Sequence, residues 1–381
     1  MTRRKVLQAI SFLIFTLLLS GVFFWAVPVT VSVSPLVGLA NLIKGYPWTW
    51  KLLLAVPVIA LALFKGHYFC FFICPTGTIL ENIPVGRKKK VGSSSLPFAL
   101  LIVVLVSSFF TLAVVGLLDP LAIFAEAVNV FQYSFNPVDL WLVLPILVLI
   151  SLNLLGRRYW CFRLCPLGAL LRLVGRAGVA ITAGGKKSLP PGGLSRRVFV
   201  SSLAGGLTLG WVWSRLAGGR SRRLIRPPGA LPEEMFNGKC LRCGSCIKAC
   251  VTDGIQPCFL EAGWDGIFTP RLDPSVGYCD EYCVACTWSC PTGALRPLTL
   301  AEKREERMGL ATVDRERCMA WAEDKYCLVC QEHCPYNAIE IHRKKNGVPC
   351  PVVNPARCRG CGQCEFQCKT NVSAAIRVYT L

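Results

Sequence analysis

Between residues 240 and 368 sixteen cysteines stand in four quartets, a density that a small fold accommodates only by bridging its thiols or binding them to metal. The first quartet is C-L-R-C-G-S-C-I-K-A-C, with Cys240, Cys243, Cys246 and Cys250. The second is C-D-E-Y-C-V-A-C-T-W-S-C-P, with Cys279, Cys283, Cys286 and Cys290. The third opens with a longer gap, from Cys318 to Cys327, and continues with Cys330 and Cys334. The fourth is C-R-G-C-G-Q-C-E-F-Q-C, with Cys358, Cys361, Cys364 and Cys368. A run of C-x2-C-x2-C-x3-C is the spacing of iron–sulfur ligation: three close thiolates wrap one face of a cluster, and the fourth, on a following helix, serves the neighbouring cluster. The rule predicts four [4Fe–4S] sites. Cys240, Cys243 and Cys246 join Cys290, and Cys279, Cys283 and Cys286 join Cys250. Cys318, Cys327 and Cys330 join Cys368, and Cys358, Cys361 and Cys364 join Cys334. Zinc ribbons use two pairs separated by a loop, so quartets ending in x3-C weigh against zinc.

The pattern predicts a tandem bacterial ferredoxin-like α+β domain over residues 231–381, with modules at about 231–297 and 308–381. Gly244, Gly360 and Gly362 let backbone amides approach the sulfurs, and T-G-A-L after Cys290 and N-A-I-E-I-H after Cys334 read as the short strand following each module. Val251 and Lys369 stand where proline commonly follows the fourth cysteine. Cys258 and Cys350 are left over, and either pair as a disulfide or pack as small apolar residues. No C-x-x-C-H indicates covalent haem, and no G-x-G-x-x-G followed by a spaced acid indicates a dinucleotide site.

The first half is different. Of 381 residues 53% are hydrophobic, and mean hydropathy is +0.48. The net charge of +20 lies entirely before residue 231, where 24 Lys/Arg face only Glu81, Asp119, Glu126 and Asp139; beyond it, 18 basic residues balance 18 acids. Basic excess confined to the apolar half reads as membrane topology, and no nucleic-acid partner is expected. Apolar runs at about 6–27, 48–64, 96–118 and 138–155 approach the roughly 20 residues that cross a bilayer. They predict an α-helical membrane domain over residues 1–180 with four to five spans and an internal two-fold repeat. Arg3, Arg4, Lys5, Arg87, Lys88, Lys89, Lys90, Arg157 and Arg158 set its N-terminus in the cytoplasm. Each repeat ends in C-x3-C-P-x-G, giving Cys70 and Cys74 in one half and Cys161 and Cys165 in the other. Two such repeats can bring the four thiols together. They read either as a further iron–sulfur centre or as small residues packed at helix ends. The outer loops also correspond, S-P-L-V-G-L-A from Ser34 matching D-P-L-A-I-F-A from Asp119. His67, beside the first pair, is either a base toward a quinol or an interfacial histidine. Residues 181–230 form a linker in which S-R-R-V-F-V at 195–200 precedes a mildly apolar run, a twin-arginine-like motif and possible fifth span carrying residues 231–381 outward.

With these motifs in place, the first ~180 residues resemble the NapH-type membrane quinol dehydrogenase subunits, through R-R-K-V-L-Q at the start and the doubled C-x3-C-P-x-G. The part from Ser195 resembles the MauM/NapG-type ferredoxins, in G-Y-C-D-E-Y-C-V-A-C and R-C-M-A-W-A-E-D-K-Y-C-L-V-C. The resemblance implies a fusion of two subunits anchored in a cytoplasmic membrane. It would relay electrons from a quinol through its clusters to a redox partner, a reductase or cytochrome, on the far side. No substrate pocket of its own is expected. A redox sensor or a metalloenzyme maturation factor is the alternative.

Overall fold

The computed structural model describes residues 3–19, 31–43, 50–66, 68–83, 95–110, 113–130, 144–156, 158–182, 195–217, 224–259, 261–263, 266–368 and 373–381. His67, Arg87, Lys88, Lys89, Lys90, Asp139, Arg157 and most of the linker 181–230 before Ser195 lie outside these. The chain divides into two units, Met1–Gly218 with Asn237–Gly244, and Gly219–Phe236 with Ser245–Leu381.

The first unit is helical, but its helices are not spans. Among the described residues no helix is long and apolar enough to cross a membrane, which overturns the expected four-to-five-span domain. The reason lies in how the apolar runs break. The run at 48–64 gives a 3-10 turn, Trp50–Ala55, and only then the ten-residue helix Val56–Lys65, with Pro57 in its first turn. The run at 96–118 gives Leu96–Ser107 and Ala113–Leu118, and its first piece ends where the hydroxyls of Ser107 and Ser108 both donate to the Val104 carbonyl. The run at 138–155 yields Leu144–Asn153, and the first run yields the 17-residue Arg3–Leu19. The segment expected as a fifth span is a 22-residue helix, Arg196–Ala217, but three arginines, Ser201, Ser202, Thr208, Ser214 and three glycines keep it too polar. Anchorage in a cytoplasmic membrane rested on those spans and falls with them.

What the apolar residues do instead is pack on one another. Leu36, Val37, Leu121, Ile123, Leu167 and Leu171 form one core with Phe69 and Val104, each at most 3% exposed. Helix Pro166–Thr182 lies tightly against Val56–Lys65: a Cβ on Gly178 would stand 2.0 Å from the Leu63 carbonyl oxygen. The internal repeat is visible here. Helices Pro35–Ile43 and Pro120–Val130 both open on proline after a polar residue, and the Ser34 hydroxyl donates to the Asp119 carboxylate. The corresponding loops therefore meet.

The second unit is built from short pieces. Strands β1 (Ile255–Pro257) and β2 (Pro270–Leu272) pair antiparallel, Ile255 opposite Leu272. Strand β3 (Leu310–Val313) pairs with β6 (Ile376–Tyr379), and β4 (Ile339–Arg343) with β5 (Pro349–Val353). The I-E-I-H stretch after Cys334 is β4, whereas A-L after Cys290 makes only an isolated bridge, Leu295 with Ala230. Between the strands lie helices of four to six residues, such as Ser245–Lys248, Ala285–Ser289, Leu300–Glu305, Val329–Glu332 and Gln363–Phe366.

Candidate iron–sulfur centres

Each quartet is a loop that turns into a short helix, and particular residues make the turn. In the fourth, Gly360 (φ 71°) and Gly362 (φ 84°) take left-handed backbone, and Gly360 lies so close to Gly309 that a Cβ would stand 2.4 Å from its nitrogen. Gly362 caps the helix Gln363–Phe366, which carries Cys364. A second turn recurs three residues after the fourth cysteine: Asp253, Gly293 and Asn337 all have positive φ, at 53°, 68° and 47°. These are the residue types that tolerate that region. The turn reverses the chain so that main-chain amides face sulfur. The Ala338 amide donates to Cys334 Sγ at 3.3 Å and the Leu295 amide to Cys290 Sγ at 3.5 Å; in the fourth quartet, where the residue three beyond Cys368 lies outside the described residues, the Ala375 amide donates to Cys368 Sγ at 3.3 Å. In the first two quartets threonine hydroxyls add to this, Thr252 lying 3.5 Å from Cys250 Sγ and Thr292 3.7 Å from Cys290 Sγ. Sequence reading missed this turn; its signal is the Asp, Gly, Asn series at a fixed offset.

The clearest centre joins cysteines from two quartets. Cys318, Cys327, Cys330 and Cys368 line one cavity of about 50 Å³, closed by Val313, Met319, Pro351 and Ile376. Burial pushes the Cys330 thiol up to about 12, and the nearby Cys318, Cys368 and Cys327 push in the same direction. Cys358, Cys364 and Cys334 surround Cys361 or one another similarly: burial takes Cys361 up to about 12, with Cys279, Cys334 and Cys358 adding to it, and raises Cys364 further. In the third set burial lifts Cys279 to about 11 and Cys286 well above its ordinary value, with Cys250 and Cys283 as neighbours and Lys303 opposing. The positive charge of a bound metal would favour the ionised form of thiols this buried and crowded. Among the described residues no three His, Cys, Asp or Glu converge tightly enough for one metal ion. A four-iron cluster requires thiolates held apart around a void, and the cavity at Cys318 supplies one. The first predicted set is divided, Cys240 and Cys243 falling in the first unit and Cys246 and Cys290 in the second.

Two of these centres adjoin. The Cys279 amide donates to the Cys361 carbonyl at 2.8 Å, the Tyr278 and Phe366 rings lie 5.5 Å apart, and Tyr336 is packed beside Cys361 and Cys279. The remaining cysteines do not pair. Cys258 and Cys350 are free and fully buried, Cys258 beside Arg226 (3.7 Å) and Cys350 donating to the Ala320 carbonyl (3.3 Å). Of the histidines of this unit, His342 stacks on Trp321 and His333 is exposed.

In the first unit Cys70 and Cys161 sit on one-turn helices, Phe69–Ile73 and Tyr159–Arg163, while Cys74 and Cys165 each precede a helix begun by proline, Pro75–Asn82 and Pro166–Thr182. Burial raises all four thiols; Cys161 adds to the rise at Cys70, Cys74 and Cys165, and the Arg158 and Arg172 guanidiniums oppose it at Cys70 and Cys161. The glycine of each motif fits under its cysteines. The Gly168 amide donates to Cys165 Sγ at 3.3 Å, and that of Gly77 does the same for Cys74. Arg158 also pairs with Glu81 (2.5 Å), which receives Arg4 and Gln8 as well, so the two repeats are tied beside the thiols. A Cβ at Gly77 would stand 2.8 Å from the Cys70 carbonyl oxygen, against 3.2 Å at Gly168 from that of Cys161. Gly77→Ala should therefore cost about 1–3 kcal/mol and Gly168→Ala less. Thermal unfolding of the two variants measures the order, and an equal cost would show that the first motif can relax.

Geometry and spacing together define an iron–sulfur protein. A family model described as a 4Fe-4S binding domain matches residues 47–92 and 140–188, the segments holding Cys70 and Cys74 and then Cys161 and Cys165. The methylamine utilization ferredoxin-type protein MauM of Methylophilus methylotrophus is 38% identical over 172 residues, covering 42% of this chain and 72% of the relative. MauM of Methylobacillus flagellatus is 34% identical over 198 residues, covering 49% and 80%, and the ferredoxin-type protein NapG of Escherichia coli is 34% identical over 156 residues, covering 38% and 65%. No solved structure matches. The chain belongs to the MauM ferredoxin-type family, and is an iron–sulfur electron carrier.

Proposed function

We propose that the chain holds four [4Fe–4S] clusters on the sixteen quartet cysteines and relays single electrons from a quinol to a redox partner protein, a reductase or cytochrome. The observation that carries this is the cavity at Cys318, Cys327, Cys330 and Cys368, because its four thiols come from both quartets of one module, as the ferredoxin spacing requires. Bound clusters would supply one-electron chemistry; the chain's part is to space them and set their potentials. The main-chain contact between Cys279 and Cys361 supports a relay order that departs from chain order, with the second and fourth quartets' centres adjoining. Cys70, Cys74, Cys161 and Cys165 would hold a further centre, supported by the family-model match and by the paired glycine amides. The resemblance of the first ~180 residues to quinol dehydrogenase subunits supports a quinol as donor. A maturation factor needs thiols that can hand metal on, and Cys318, Cys330, Cys358, Cys361 and Cys364 are each 9% exposed or less.

The test is anaerobic purification, iron and sulfide determination, and reduction with a soluble quinol analogue followed by electron paramagnetic resonance. The reading expects about sixteen irons from the four quartets, roughly four per cluster, and cluster signals that appear on quinol addition. Full iron without quinol-dependent reduction would remove the quinol while leaving the carrier, and a protein binding only zinc would remove both.

A further inference from the structure

We propose that Lys303 raises the reduction potential of the centre at Cys250, Cys279, Cys283 and Cys286 by placing a buried positive charge against it. The inference rests on the cluster reading above. Lys303 is only 1% exposed, and its ammonium donates to the carbonyls of Asp280 and Cys283, the latter at 2.7 Å. It thereby reaches into the loop that carries two of the four cysteines. Both partners are neutral acceptors, and no carboxylate among the described residues pairs with it. An ammonium withdrawn from water without a counter-ion is among the costliest arrangements a fold can contain.

The fold nevertheless positions it with care. Helix Leu300–Glu305 opens on a full capping box, the Thr299 hydroxyl accepting from the Glu302 amide and the Glu302 carboxylate accepting from the Thr299 amide. The counter-charge is the centre itself. A cluster held by four thiolates is net negative and becomes more so by one unit on reduction. A fixed cation therefore stabilises the reduced form more than the oxidised one. Arginine at this position would keep the charge, and methionine would keep most of the bulk without it.

The full chain, purified anaerobically, is titrated with a redox-mediator series while each cluster signal is followed by electron paramagnetic resonance. In Lys303→Met one midpoint should fall by about tenfold in its reduced-to-oxidised ratio, 59 mV for one electron, while the others stay in place. Lys303→Arg should keep it near the starting value. The signal that moves should be the one missing from Cys283→Ala. Unmoved midpoints in a Lys303→Met protein with full iron would overturn the proposal. Should methionine cost that centre its iron, Lys303→Gln, which retains a donor toward the two carbonyls, is titrated in its place. Loss of the centre in both uncharged variants would mark Lys303 as a prop for the 280–283 loop and overturn the proposal too. Iron content of the unsubstituted chain separately decides the cluster reading itself.

Discussion

Replacing Cys368 with alanine should unload the centre of the third quartet, not that of the fourth to which Cys368 belongs in sequence. The cavity geometry gives the reason: Cys368 lines the same void as Cys318, Cys327 and Cys330. The expected loss is about four irons per chain, and one set of cluster signals. Cys327→Ala should remove the same set. The double variant should lose no more than either single, because groups that act as one unit are not additive. Cys334→Ala should instead unload the centre of Cys358, Cys361 and Cys364. If Cys368→Ala and Cys327→Ala abolish different signals, each quartet holds its own cluster and the cross-ligation is wrong.

Removing the iron altogether should collapse the second unit. Among the described residues its strands are three to five residues long and occur only in two-stranded sheets. Pairs of that size are marginal alone in water. Its helices are mostly a single turn, far below the dozen or so residues at which an isolated helix becomes stable. The apolar cores are small as well, and cysteines of the quartets make up much of them: Cys330, Cys358 and Cys364 in one, Cys318 in another. Oxidative removal of iron with a chelator should abolish the near-ultraviolet circular dichroism of Trp288 and Trp321. The helical signal of the first unit should persist, since Leu36, Leu121 and Leu171 lie in a large core made mostly of aliphatic and aromatic side chains. Retention of the tryptophan signal in iron-free protein would show that the polypeptide alone holds this unit.

The quartets were legible in the sequence because ligation is local: two or three residues between cysteines fix a loop whatever surrounds it. The fourth-cysteine exchange is not local: it joins residues up to fifty positions apart, and the cavity that Cys368 shares with Cys318, Cys327 and Cys330 is the structural feature in line with it. The first unit was not legible. Run length counts apolar residues, whereas helix length depends on where the backbone stops, and Pro57, Ser107 and Ser108 stop it inside runs that looked continuous. Arg158, which reads as a topology charge, is only 4% exposed and turns inward toward Cys161, and Arg172 donates to the Cys161 carbonyl. Nor did the sequence point to Lys303. It lies twenty residues beyond Cys283, and nothing in a solvent-facing string such as L-A-E-K-R-E says which of its charges is buried.

The hydrogen bond between the Cys279 amide and the Cys361 carbonyl joins the second and fourth quartet loops through main-chain atoms. No substitution short of proline at the donor can delete it. Side chains around the joint are thus free to drift, and the link survives as long as the two loops approach. Chains sharing little more than a third of their residues over the matched stretches can on this basis keep the same main-chain joint while the side chains around it are rewritten.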